Sequence, residues 1–161
     1  SGVFGVLVKQ MRENETAETS GWLIGEGLFT GRVKGVALRS MKAPGTAYDD
    51  PVLGRDPQPA HMDDFEDLPH DAEHDNGGVH TNSGIPNRAF YLAASALGGH
   101  AWERAGQIWF DTVTTKGVPK DIDFAGFAAR TVKAASKRYG TTSEEVTAVE
   151  EAWATVGVVL P

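Results

Sequence analysis

Three features of the sequence predict a mainly α-helical domain with one long irregular loop. Apolar residues recur at helical spacing from Ile85 almost to the C-terminus. Glycines stand where those stripes end. Between Met41 and Asn76 the spacing disappears, and Pro44, Pro51, Pro57, Pro59 and Pro69 interrupt the chain. At 161 residues the chain can build one domain with a substantial core, and residues 1–161 are read as a single unit.

In order, residues 3–12 are apolar at Val3, Phe4, Val6, Leu7, Val8 and Met11, which predicts a helix buried on most sides. No capping sequence precedes it, so it reads as cut from something longer. Residues 22–29 read as a short extended segment. The glycines at 25, 27 and 31 do not complete a dinucleotide loop, because the third position of that pattern falls on Thr30 and no strong helix follows. Arg39 follows Val36-Ala37-Leu38, and its spacing alone reads as a surface side chain lying along its own stem. Residues 41–76 read as a solvated acidic loop. His61, His70 and His74 lie among its carboxylates but match neither a zinc spacing nor a calcium-binding helix-loop-helix.

The helices follow. Ile85, Ala89, Leu92 and Ala96 share one face, with Pro86 in the first turn and Gly98-Gly99 as the stop. A second helix is predicted over residues 102–115, burying Ala105, Ile108, Trp109, Thr112 and Val113. A third covers 123–139 and turns Phe124, Phe127, Ala128, Thr131, Val132 and Ala135 inward; Lys133, Lys137 and Arg138 suit its negative end. For the last, Thr142 as N-cap and Glu145 three residues on form a capping box. Val146, Val149, Trp153 and Val156 then face the core until Gly157. That makes about five helices.

The net charge of −7, with no basic stripe, argues against a nucleic-acid partner. No apolar run approaches the roughly 20 residues that span a bilayer, so no membrane is expected as partner. Cysteine is absent, which removes disulfides, thiolate metal sites and cysteine nucleophiles. This fits a cytosolic protein and a bacterial secreted enzyme equally. There is no His-Glu-x-x-His, no Gly-x-Ser-x-Gly elbow and no phosphate-binding Gly-x-x-x-x-Gly-Lys. What remains is Asp75 five residues before His80, with Gly77 and Gly78 between them. An aspartate that accepts a hydrogen bond from one imidazole nitrogen fixes the ring, and the other nitrogen can then donate to a developing oxyanion. A purely structural histidine at a helix start is the competing reading, and residue chemistry alone leaves both open.

The stretch Asp75-Asn76-Gly77-Gly78-Val79-His80-Thr81-Asn82-Ser83-Gly84-Ile85 closely resembles the signature of the C-terminal domain of thermolysin-like neutral zinc metalloproteases. The resemblance continues through Asn87-Arg88-Ala89-Phe90-Tyr91-Leu92, Gly106-Gln107-Ile108-Trp109 and the segment 139–158. Trp22-Leu23-Ile24-Gly25-Glu26 and Leu38-Arg39-Ser40-Met41 look like the family's segments beside the active site, and residues 45–54 resemble its protealysin-like branch. The resemblance implies the helical C-terminal lobe of a secreted, bilobal bacterial endopeptidase that cleaves before bulky hydrophobic residues. It implies that His80 stabilises the oxyanion, that Asp75 orients it, and that Arg39 holds a substrate carbonyl. Ile24, Leu28 and Leu38 would line the pocket for the leaving-group side chain.

The same resemblance implies zinc bound by residues outside this chain, on the missing N-terminal lobe, so isolated residues 1–161 are expected to be inactive. Gly2 stands where the family often has an aspartate, which raises the question whether Ser1-Gly2 is native. Of the family's calcium carboxylates only Glu26 is retained, while Lys9, Gly21 and Leu23 replace acidic residues; at most one calcium is expected, at Glu26. Residues 62–73 read as an insertion with no assigned role. The helix at 3–12 should expose apolar surface without its lobe, so a dimer is expected. A degenerate, non-catalytic helical module used for binding or regulation is the alternative, and a metal-binding acidic loop a weaker one.

Overall fold

The computed structural model describes residues 2–161; Ser1, and with it half of the Ser1-Gly2 question, lies outside them. Helix α1 (Gly2–Glu13) packs Val3, Val6 and Leu7 into the core. Its other side is open, with Val8 69% and Met11 57% exposed. The helix is therefore buried on one side only, contrary to the reading of its composition. Two-residue strands β1 (Leu23–Ile24) and β2 (Arg39–Ser40) pair antiparallel, with Ile24 opposite Arg39. The predicted extended segment shrinks to β1 because Gly25 and Gly27 both take positive φ and turn the chain away.

The long loop is less irregular than its composition suggests. A hairpin of β3 (Asp49–Asp50) and β4 (Gly54–Arg55) stands in it, closed by Asp50, whose Oδ1 accepts the N–H groups of Val52 and Leu53. Short 3₁₀ turns follow at Met62–Asp64 and Ala72–His74. Element α2 (Asp75–Gly78) is a single left-handed turn.

Four long helices complete the chain: α3 (Gly84–Leu97), α4 (Ala105–Thr114), α5 (Phe124–Tyr139) and α6 (Glu144–Thr155). Both α3 and α5 pack on α6, and α4 packs on α5. Through the centre, Trp109 of α4 stacks on Trp153 of α6 and meets Phe90 of α3 edge-on. Trp153 is fully buried, and its Nε1 donates to Thr131 Oγ1 at 2.9 Å, so the one polar atom of that ring is satisfied.

Four details differ from the sequence reading. Helix α4 starts at Ala105, three residues later than expected, because the Gly106 N–H reaches back to the Ala101 carbonyl in a turn. The cap of α6 is Ser143, whose Oγ accepts the Val146 N–H at 3.3 Å. Glu145 is buried and pairs with Arg104 across the bundle instead of closing a box with Thr142. Ala96 and Val113 face solvent, while Phe90, Ala93 and Ala94 take the inner face of α3. Among the described residues no helix is long and apolar enough to cross a membrane.

Candidate active site

The site begins with an unusual run of backbone. Asp75, Asn76, Gly77 and Gly78 have φ of 58°, 49°, 83° and 72°, the left-handed region that favours glycine and, less readily, asparagine and aspartate. The cost for the two non-glycines is about 1–2 kcal/mol each. It is offset by what the turn satisfies. Asp75 Oδ2 accepts the backbone N–H of His80 at 2.7 Å and of Thr81 at 3.1 Å, while Oδ1 is hydrogen-bonded to His80 Nδ1. These bonds, led by the one from the imidazole, hold the Asp75 carboxyl below its ordinary range. It is therefore ionised at neutral pH and can only accept, so Nδ1 of His80 carries the shared proton.

The insertion at 62–73, to which the sequence reading gave no role, buttresses this turn. The Asp71 and Pro69 carbonyls accept the N–H groups of Asn76 and Gly77 at 2.7 and 2.9 Å. Asn82, itself buried, clamps Glu66 through both backbone groups, donating from Nδ2 at 2.8 Å and accepting at Oδ1 at 3.0 Å. The His70 ring lies against Gly77, where a Cβ would come within 2.8 Å of it. His61, His70 and His74 do not converge: His61 faces Asp63 and His74 faces Asp71. Among the described residues no three His, Asp or Glu side chains are grouped to hold a metal.

The His80 ring projects outward, its side chain 72% exposed, over a cavity of about 450 Å³. Arg39 enters the same cavity from β2 and makes no ion pair among the described residues. Pro86, Trp109, Val113 and Phe127 form apolar walls. The structure thus brings Asp75, His80 and Arg39 to one place. It does not bring the other expected residues there: Ile24 and Leu38 lie on or beside the β1–β2 pair, and Leu28 is 68% exposed on the following turn. Glu26 lies on the turn after β1, outside this cavity. Its carboxylate accepts from Lys9 Nζ at 2.6 Å, and this bond raises the Lys9 pKa. The Glu26 carboxylate, at which the sequence reading expects a calcium, is thus paired with an ammonium.

Residues 1–158 match the family described as thermolysin metallopeptidase, alpha-helical domain. The chain belongs to that family. It is 52% identical over 158 residues to an extracellular metalloprotease of Pectobacterium carotovorum subsp. carotovorum, covering 98% of this chain and 44% of that protein. With a thermolysin of Alicyclobacillus acidocaldarius it shares 34% identity over 165 residues, covering 98% of this chain and 27% of that one. The solved precursor of protealysin, a metalloproteinase from Serratia proteamaculans, superimposes with a TM-score of 0.92 at 57% identity, over 98% of this chain and 47% of that structure. The chain therefore spans less than half the length of these relatives, and its fold is the helical C-terminal domain of a thermolysin-like metallopeptidase.

Sequence reasoning missed the polar residues that hold this thermolysin-like site from behind. Gln58 Nε2 donates to the His80 carbonyl at 2.8 Å and to Ser83 Oγ at 2.9 Å. A single glutamine between two prolines in an aperiodic loop carries no signal that singles it out.

Proposed function

We propose that the chain is the C-terminal lobe of a zinc-dependent metalloendopeptidase and supplies the groups that stabilise the transition state of peptide hydrolysis. The observation that carries this reading is the grip of Asp75 on His80 at the edge of a cavity that Arg39 also lines, in a chain of the thermolysin family. The family's zinc finds no ligand set among the described residues, so the reading assigns its ligands and the general base to the rest of the full-length protein.

What this chain's own residues do follows from their chemistry. Nδ1 of His80 is committed to the ionised Asp75, so Nε2 donates a hydrogen bond when the ring holds both protons. His80 lines the cavity, and on this reading its Nε2–H meets the oxygen of a substrate carbonyl that gains charge as the tetrahedral species forms. Arg39 adds fixed donors for a neighbouring carbonyl. The apolar walls suit a bulky hydrophobic side chain on the leaving-group side, with Ile24, Leu28 and Leu38 joining that pocket once the missing lobe covers them. Isolated residues 1–161 are inactive on this reading. They also expose Val8 and Met11 on α1, and association into dimers would cover that face. Secretion from a bacterial cell fits the extracellular relative.

The test is His80→Ala in the full-length protein. A transition-state donor of this kind is worth about 100- to 1000-fold in kcat, with thermal stability and zinc content unchanged. Unchanged turnover would remove His80 from the mechanism.

A further inference from the structure

Three side chains hold the backbone of His80, one on its N–H and two on its carbonyl. Asp75 takes its N–H; the carbonyl is taken by Gln58, 22 positions away in the long loop, and by Ser83 Oγ, which donates at 2.7 Å. A carbonyl can only accept, so the Gln58 amide must present Nε2, and that nitrogen also reaches Ser83. Gln58 is 6% exposed. Its own backbone is fixed in turn: Asp56, also buried, accepts the Gln58 N–H on Oδ1 at 3.1 Å and the N–H groups of Gly45 and Ala47 on Oδ2 at 3.1 and 3.2 Å. Pro57 and Pro59 restrict the chain on either side. The loop reaches this position because Gly84 opens α3; a Cβ there would collide with the Pro59 carbonyl and crowd Gln58 Cβ and Pro44 Cβ at 3.0 Å.

We infer that Gln58 is a positioning residue for the oxyanion-donating His80, acting by fixing the His80 carbonyl and hence the direction in which its exposed ring points. The inference rests on the reading of His80 as a transition-state donor. Asp75 sets which ring nitrogen is engaged, and Gln58 sets where the other one lies. Only the second contact comes from outside the turn, so the long loop, and not the signature stretch alone, determines the donor's aim.

The test uses the full-length protein with Gln58→Glu, which places a carboxylate oxygen against the His80 carbonyl. It also uses Gln58→Met, which keeps the side chain's bulk and donates nothing, and which serves where the glutamate variant does not fold. Each is also combined with His80→Ala. A donor displaced by about 1 Å can cost on the order of 100-fold; kcat is expected to fall about tenfold to 100-fold, with KM within about twofold. In the His80→Ala background the same substitutions are expected to cost nothing further in kcat, because the group they aim is gone. A full additional loss in that background would mean that Gln58 is merely structural and would overturn the inference, as would unchanged kcat in both single variants. If His80→Ala by itself leaves kcat unchanged, the oxyanion reading fails first and takes this inference with it.

Discussion

The helical layer and the loop layer of this chain are held together by different forces. From α3 to α6 the interior is apolar: Phe90, Ile108, Val149 and Trp153 are fully buried, and polar atoms such as Thr131 Oγ1 bond within or between the helices. From Met41 to Ser83 the buried groups include Asp50, Asp56, Gln58 and Asn82, and each of these binds backbone N–H or carbonyl groups of a distant segment. The first kind of interior sets how stable the domain is. The second sets where atoms lie, because directed hydrogen bonds specify angles that apolar contacts leave free. The candidate active site is attached to the second.

If this division is right, substitutions in the two layers should separate stability from geometry. The largest effect on stability is expected for Trp153→Ala, at about 3–5 kcal/mol in chemical denaturation, with residual activity per folded molecule preserved. A smaller loss is expected for Asp56→Ala, which strands three N–H groups and costs about 1–3 kcal/mol; its kcat should fall disproportionately, since Gln58 loses its anchor. Equal proportional losses of stability and kcat in both variants would dissolve the distinction. Ser143→Ala removes the cap of α6 and should cost about 1 kcal/mol with no change in kcat, whereas Thr142→Ala should cost much less. The reverse order in thermal melts would restore the capping box that the sequence suggests.

The smallest effect is a pH dependence. Asp75 has a lowered carboxyl pKa in the folded state, caused first by the His80 hydrogen bond. A group of this kind contributes stability that is fully present above the ordinary carboxylate range and is lost as the pH falls through the lowered folded value. The turn at 75–80 should therefore loosen only in acid, below the range where free aspartates titrate. Carbon-detected NMR of the Asp75 carboxyl would follow it, and an Asp75 titrating like a free side chain would show that the grip on His80 does not persist in solution.

The helices were legible in the sequence because their burial is periodic: Ile85 and Ala89, Ile108 and Thr112, and Val149 and Trp153 all sit inside, as their spacing requires. Errors came where two residues could serve equally, as with Thr142 and Ser143, or where a stripe continued past the last covered turn, as at Ala96 and Val113. The buried face of α1 was overestimated because density of apolar residues says how much surface wants covering, not what covers it. The loop layer was opaque for a different reason. Asp50, Asp56 and Gln58 recur at no period, and besides local turn bonds each has a partner 9 to 25 residues away. Asp75 and His80 stood out as a pair from their spacing and the glycines between them, but only the family resemblance joined them to Arg39. Ile24, Leu28 and Leu38 came from the resemblance alone.

The left-handed turn at Asp75–Gly78 carries one more consequence. Four consecutive residues there follow the torsional preferences of the opposite enantiomer. The genetic code offers few letters for that conformation: glycine, which has no handedness, and asparagine and aspartate, which tolerate it. At position 75 the requirement for a carboxylate narrows the choice to one. A saturation library over these four codons, selected for a folded and active protein, should collapse to a handful of spellings close to Asp-Asn-Gly-Gly.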